Sequence, residues 1–176
     1  MKFQLLTIIL TVLTSSIMIF DFNSKSDISK WRVVDDAVMG GRSSGDFRLN
    51  AAGNGEFSGA VSLENNGGFS SVRYRFKKEK IAAYTKFILR VKGDGKKYQF
   101  RVKSDRYDYH SYIAKIQTDG TWQTIEVLFS EMYPAFRGRD LDMDNYPGKK
   151  MEEIAFLIGN KKRENFKIEI DNIALK

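Results

Sequence analysis

Cysteine is absent from the 176 residues, and histidine occurs once, at His110. The first absence excludes disulfides, cysteine-ligated zinc, iron–sulfur clusters and thiol nucleophiles together. The second means that any Ser-His-Asp apparatus would have to use His110, and Tyr109-His110-Ser111-Tyr112 has nothing of a nucleophile elbow. A lone histidine at a strand start reads as a surface or edge residue. Carboxylate-only chemistry requires geometry rather than a motif, and no acid pair declares itself by spacing. No catalytic residue and no cofactor is assigned, and the chain reads as a non-enzyme.

What is present is ordinary for a folded domain: 42% hydrophobic, 29% charged and 13% aromatic residues. The length suits one domain with a core that needs no covalent staple. Met1-Lys2 precede an apolar run from Phe3 to Leu13, then Thr14-Ser15-Ser16, with no acid before Asp21. That order describes a signal peptide over 1–16, leaving a domain over 17–176 and implying export to the periplasm or the outside. The apolar stretch continues through Ile17–Phe20, so an uncleaved membrane anchor is the alternative. The formal net charge of +7 can attract phosphate, anionic lipid or acidic glycans, or can simply be a solvated surface.

Most of the chain alternates with a period of two. Tyr98, Phe100 and Val102 alternate with Lys97, Gln99, Arg101 and Lys103, and Phe166, Ile168 and Ile170 with Lys167, Glu169 and Asp171. Ile125, Val127 and Phe129 repeat the pattern, and similar runs occupy 56–63, 69–76, 84–92, 110–118 and 153–159. One side-chain set enters a core and the other meets solvent, as in half-buried strands. Gly40-Gly41, Gly53-Asn54-Gly55, Asn65–Gly68, Gly93-Asp94-Gly95 and Asp119-Gly120 punctuate the runs with turn chemistry. Such spacing predicts an all-β sandwich or barrel. Only Ser26–Lys30 and Lys78–Tyr84 carry a helical pattern, and Glu131–Lys150 reads as a long ordered loop.

Three local patterns lead nowhere. Asp140-Leu141-Asp142-Met143-Asp144-Asn145 starts like a calcium loop, but Asn145 replaces the turn glycine and Met151 the bidentate glutamate, so no metal is assigned. Gly93-Asp94-Gly95 is followed by a strand rather than a helix, so it is a hairpin turn and not a phosphate cradle. Bases and aromatics interleave at Arg73–Phe76 and Lys96–Arg101, as on nucleic-acid sheets, yet a sandwich strand gives the same string. No nucleic-acid partner is assigned.

Two glycine-rich segments remain: Asp35–Ser43, which gathers acids, a methionine, paired glycines and Arg42, and Asn65–Phe69. Loops carried by a rigid scaffold often bear function, although paired glycines also serve tight corners.

These segments carry a resemblance. Trp31 followed by Asp35–Ser43, then Phe57-Ser58-Gly59, Leu63–Phe69, Arg73, Gly93–Tyr98, Trp122, Pro134–Gly138, Ile158-Gly159 and Phe166–Asp171 stand in the order of the complex I intermediate-associated protein 30 family. Phe20-Asp21-Phe22 resembles the family's opening strand, so cleavage near Ser16 leaves Ile17–Phe22 as the first strand. Asp35 and Ala37 depart from the asparagine and glycine of the family loop. The resemblance implies a galactose-binding-like jelly roll. Its organelle members assist assembly of respiratory complex I as binding chaperones, and it implies a core position for Trp122. The reading is a non-enzymatic binding module of this family, and because a close-packed sandwich can bring the two glycine loops to one end, its partner surface is expected to combine Asp36, Met39, Arg42, Asn65, Asn66 and Arg73. The partner is then a protein, in a membrane-associated complex, or a glycan. The alternative is a carbohydrate-binding module of an exported protein, which exposed aromatics near the glycine loops would favour.

Overall fold

The computed structural model describes residues 16–176, so the leader expected at 1–16 lies outside the described residues apart from Ser16. Thirteen strands follow: β1 (Ile17–Asp21), β2 (Trp31–Asp35), β3 (Ser44–Leu49), β4 (Gly55–Val61), β5 (Ser70–Lys80), β6 (Lys86–Gly93), β7 (Lys97–Lys103), β8 (Ser111–Gln117), β9 (Trp122–Leu128), β10 (Tyr133–Phe136), β11 (Arg139–Asp140), β12 (Lys150–Ile158) and β13 (Glu164–Leu175). The first of them contains Phe20-Asp21 of the opening strand that the resemblance implied.

All pairings are antiparallel and form two sheets. The smaller runs β3-β4-β13-β6-β9, with β1 also paired to β13, and the larger runs β11-β10-β8-β7-β12-β5-β2. The alternation read in the sequence decides which side chains lie between them. Leu89, Val91, Phe57 and Ile168 from the smaller sheet meet Phe100, Phe156, Ile154 and Val72 from the larger, all essentially removed from water. Each such side chain contributes about 1.5–3 kcal/mol relative to an exposed one, so this interlayer holds the fold. A second aromatic group closes one side: Trp31 stacks on Tyr74 at 4.9 Å and meets Phe20, Phe22 and Phe47.

Five expectations require correction. Ser26–Lys30 is irregular and ends in a turn at Ser29-Lys30, and β5 continues through Lys80 where a helix was expected. Glu79 and Lys80 pair with Met151 and Lys150, and those ladder bonds override a modest helical propensity. Within Glu131–Lys150, β10 and β11 add two strands to the sheet edge. Trp122 is half-exposed on the outer surface of the smaller sheet, opposite Lys92, with the Arg90 guanidinium 5.5 Å from its ring. It shares parity with Thr124 and Glu126, and in a strand parity fixes the face. His110 is 8% exposed rather than a surface residue, flanked by the rings of Tyr109 and Tyr112. The segment before it is drawn onto the sandwich by Arg106, which donates to Glu152 and to the Phe76 carbonyl.

Candidate functional site: glycine loops and an arginine-lined sheet face

The two glycine loops do meet, and Asp36 is the reason. It opens a 3₁₀ turn, Asp36–Met39, and has no exposure to water. Oδ1 accepts the Ser43 N–H at 2.9 Å. Oδ2 accepts the Ser43 hydroxyl at 2.5 Å, the Gly68 N–H at 2.6 Å and the Phe69 N–H at 3.2 Å. Burial pushes this carboxyl up, but the four donors outweigh it and hold the group below its ordinary value. The surrounding glycines follow: a Cβ on Gly41 would collide with Oδ1, and one on Gly67 would lie 2.6 Å from Oδ2. Asp35 repeats the device, accepting the Gly45 N–H at 2.9 Å and the Ser70 hydroxyl.

Around this buried anchor the other expected residues divide. Met39, Arg42, Asn65 and Asn66 are exposed at the loop end. Asn65 donates to the Gly40 carbonyl at 3.0 Å, and Arg42 pairs with Glu64 at 3.1 Å. Asn65 and Asn66 have φ of 54° and 59°, a left-handed region that asparagine tolerates. Glu64 also receives Arg163 at 2.8 Å. Its charge is thus shared by two exposed cations, and such pairs contribute little to stability.

Arg73 is elsewhere. Along β5, Val72, Tyr74 and Phe76 face the core, so Ser71, Arg73 and Arg75 lie on the outer face of the larger sheet. Register extends that face: Arg73 is opposite Arg32 on one side and Ala155 on the other, Ala155 is opposite Arg101, Arg101 opposite Ile113, and Ile113 opposite Tyr133. The centre of this outward surface is unusually dry, with Ser71, Glu153, Ala155, Leu157 and Ile113 all buried. Long side chains from neighbouring strands therefore lean over a low floor.

Among the described residues one buried carboxylate serves these cations. Glu153 pairs with Arg75 at 2.5 Å. Among the described residues no carboxylate stands within ion-pair reach of Arg73 or Arg101. Arg73 Nε is 3.4 Å from the Ser71 hydroxyl, and Arg101 donates from Nε and Nη2 to the neutral amide oxygen of Gln99 at 2.9 and 2.6 Å. Burial and then the charge of Arg73 push the Arg101 guanidinium down to about 10. Arg73 is lowered by burial, with Glu153 opposing and Arg75 adding to the effect. Both remain charged at neutral pH.

Arg101 and Ala155 were not among the residues expected to form a site. Parity with Gln99 and Lys103 already placed Arg101 on an outer face, but the neighbour relation to Arg73 exists only through β12, which the sequence does not position. Asp140, Asp142 and Asp144 are exposed, and no group of three potential metal ligands forms among the described residues. No helix of the described residues is long and apolar enough to cross a membrane.

The fold resembles solved carbohydrate-binding modules. A family 11 module from Clostridium thermocellum, in complex with a β-1,3-1,4-mixed-linked tetrasaccharide, superposes with a TM-score of 0.63 at 19% identity, over 91% of this chain and 94% of that one. A family 29 module gives 0.58 at 13% identity, over 92% and 91% of the two chains. Identities this low establish the sandwich architecture and nothing about ligand. By sequence, the chain is 27% identical to the mitochondrial complex I intermediate-associated protein 30 of Drosophila melanogaster, over 90% of this chain and 62% of that protein. With the Mus musculus protein of the same name the figures are 25%, 90% and 55%. It thus spans less than two thirds of either relative. The expectation of an exported, periplasmic or extracellular protein is overturned here, because both relatives are mitochondrial. A leader read from apolar character alone does not distinguish destinations. The family model for Complex I intermediate-associated protein 30 (CIA30) matches residues 20–170, and the chain belongs to that family.

Proposed function

We propose that this chain is a non-catalytic binding module that holds a protein partner on the outer face of its larger sheet. The partner belongs to an intermediate of complex I, the association for which its relatives are named. One observation carries the choice of face: among the described residues no carboxylate stands within ion-pair reach of the half-buried Arg73 and Arg101, although Glu153 acts on Arg73 from farther off, whereas Arg42 at the loop end is already paired with Glu64. Groups held with unmet electrostatic demand on a rigid sheet mark binding surfaces more often than scaffolding. In this reading Asp36 serves by locking the two glycine loops, and Met39, Asn65 and Asn66 form the exposed rim of that end. The test is affinity capture of the tagged full chain from its source cell, with quantification of complex I subunits. Enrichment that falls on Arg73→Glu supports the reading, and no enrichment of those subunits overturns it.

A glycan reading has one observation in its favour, the exposure of Tyr107 and Tyr109. Register places these rings at the far end from the glycine loops: Ser70 and Gln99 lie beside Ile158 and Leu157, while the Tyr107–Tyr109 segment follows Lys103 at the other end of β7. Retardation of the protein in polysaccharide affinity gels, lost on Tyr109→Ala, would favour it.

A further inference from the structure

Arg73 and Arg101 flank Ala155 on adjacent sides of β12, so their backbones are two strand spacings apart, about 10 Å. The residue between them is the smallest side chain of that row, and at 3% exposure it lies covered beneath its longer neighbours. Each guanidinium carries five N–H donors and no acceptor. Arg101 uses two groups on one neutral amide, and Arg73 has a single long contact to a hydroxyl. A neutral oxygen orients a guanidinium without neutralising it. Two cations kept near each other on a dry floor repel, and the fold retains them nonetheless.

We propose that this arginine pair is a receptor for carboxylate side chains of an acidic segment in the protein partner, seated over Ala155. The proposal rests on the binding-module reading and specifies its chemistry. Charge complementarity selects the ligand. An anion supplies acceptors and negative charge together, and a guanidinium fork matches a carboxylate bidentately. A neutral sugar's hydroxyls can accept from a guanidinium but bring no negative charge. The neighbouring row favours a polypeptide over a free ion, because beyond Arg101 and the buried Ile113 it continues with the half-exposed ring of Tyr133. Tyrosine and arginine together are the composition of protein-interface anchors.

The test uses the full chain and a blocked hexaglutamate peptide, followed by calorimetry and by the arginine Nε–Hε resonances, with inorganic phosphate as the second arm. Saturable peptide binding should move the Arg73 and Arg101 signals. Arg73→Gln and Arg101→Gln should each weaken it about tenfold or more, the loss expected for one charge-assisted contact. Arg42→Gln, which removes an equal charge elsewhere, should change it less than about twofold. The melting temperature of Arg101→Gln should hold or rise, because a mutual repulsion has gone. Should that variant fail to fold, Arg101→Lys keeps the charge, loses the fork and should still bind several-fold more weakly. No peptide binding, equal losses for Arg42→Gln and Arg101→Gln, or phosphate occupying the pair while the peptide does not, each overturns the proposal. If the peptide fails while capture of complex I subunits persists, the carboxylate reading falls and the binding-module reading stands.

Discussion

The Gly68 N–H donates to Asp36 Oδ2 at 2.6 Å, joining residues 32 positions apart in the chain. Through this bond and its companions from Ser43 and Phe69, two loops that look separable in sequence become one unit. An acid that the motif displays is thereby spent on the backbone rather than offered to a ligand.

Asp36→Ala is therefore expected to destabilise the domain by roughly 3 kcal/mol or more, since four donors lose a buried acceptor. Arg42→Ala, with its exposed partner Glu64, should lie within about 0.5 kcal/mol of wild type. Urea melts of the two variants check the contrast, and similar values for both would contradict the assignment.

The same carboxylate imposes a pH dependence. Its folded value lies below the ordinary 3.8, so its contribution is present above about pH 4 and is lost as pH falls through the folded value. The stability difference between wild type and Asp36→Asn should be largest near neutrality and shrink in acid. Denaturation curves at a series of pH values measure it, and a difference that grows in acid would contradict the sign.

Gly41→Ala should destabilise by about 1–3 kcal/mol, because the added methyl meets the Asp36 carboxylate in a filled space. Gly41→Ala in the Asp36→Ala background should cost less, with only the residue-36 Cβ left at 2.9 Å from the added methyl. A double-mutant cycle shows whether the two losses couple.

The tryptophans should behave oppositely. Trp31→Ala is expected to lose about 3–5 kcal/mol, as it empties a buried aromatic position at 4% exposure. Trp122→Ala removes a half-exposed ring over Arg90 and should lose less than about 1 kcal/mol. Urea melts decide between them.

The all-β architecture was legible because alternation is local: Tyr98, Phe100 and Val102 face the core as their parity demands. The same rule, followed through the parity of Trp122 with Thr124 and Glu126, places it outside; alternation of the strand together with the family's tryptophan had suggested a core position. The site was legible only in pieces. Arg73 lies on a real outer face, but its grouping with Arg42 came from expecting the sandwich to bring both glycine loops to one end, whereas its spatial neighbours are Ala155 and Arg101. Strand order is set by packing of the whole sandwich, and no short window of sequence encodes it. Asp36 and Ser43 illustrate the other limit, since a polar motif reads identically whether it binds a ligand or its own backbone.

The strand β13 joins three partners, β4 and β6 along its sides and β1 beyond the end of β4. Ile17 thus lies beside Leu175, and the smaller sheet cannot close until segments from opposite ends of the described chain have found each other. Pairings of such long sequence separation require loop closure before any contact rewards it, and they slow folding. Until that moment β4 and β6 present unpaired edges to solvent, a hazard for self-association during biosynthesis. Burial of Leu175 and Ile173 should accordingly be a late, all-or-none event in refolding, with amides of β13 protected together rather than one by one.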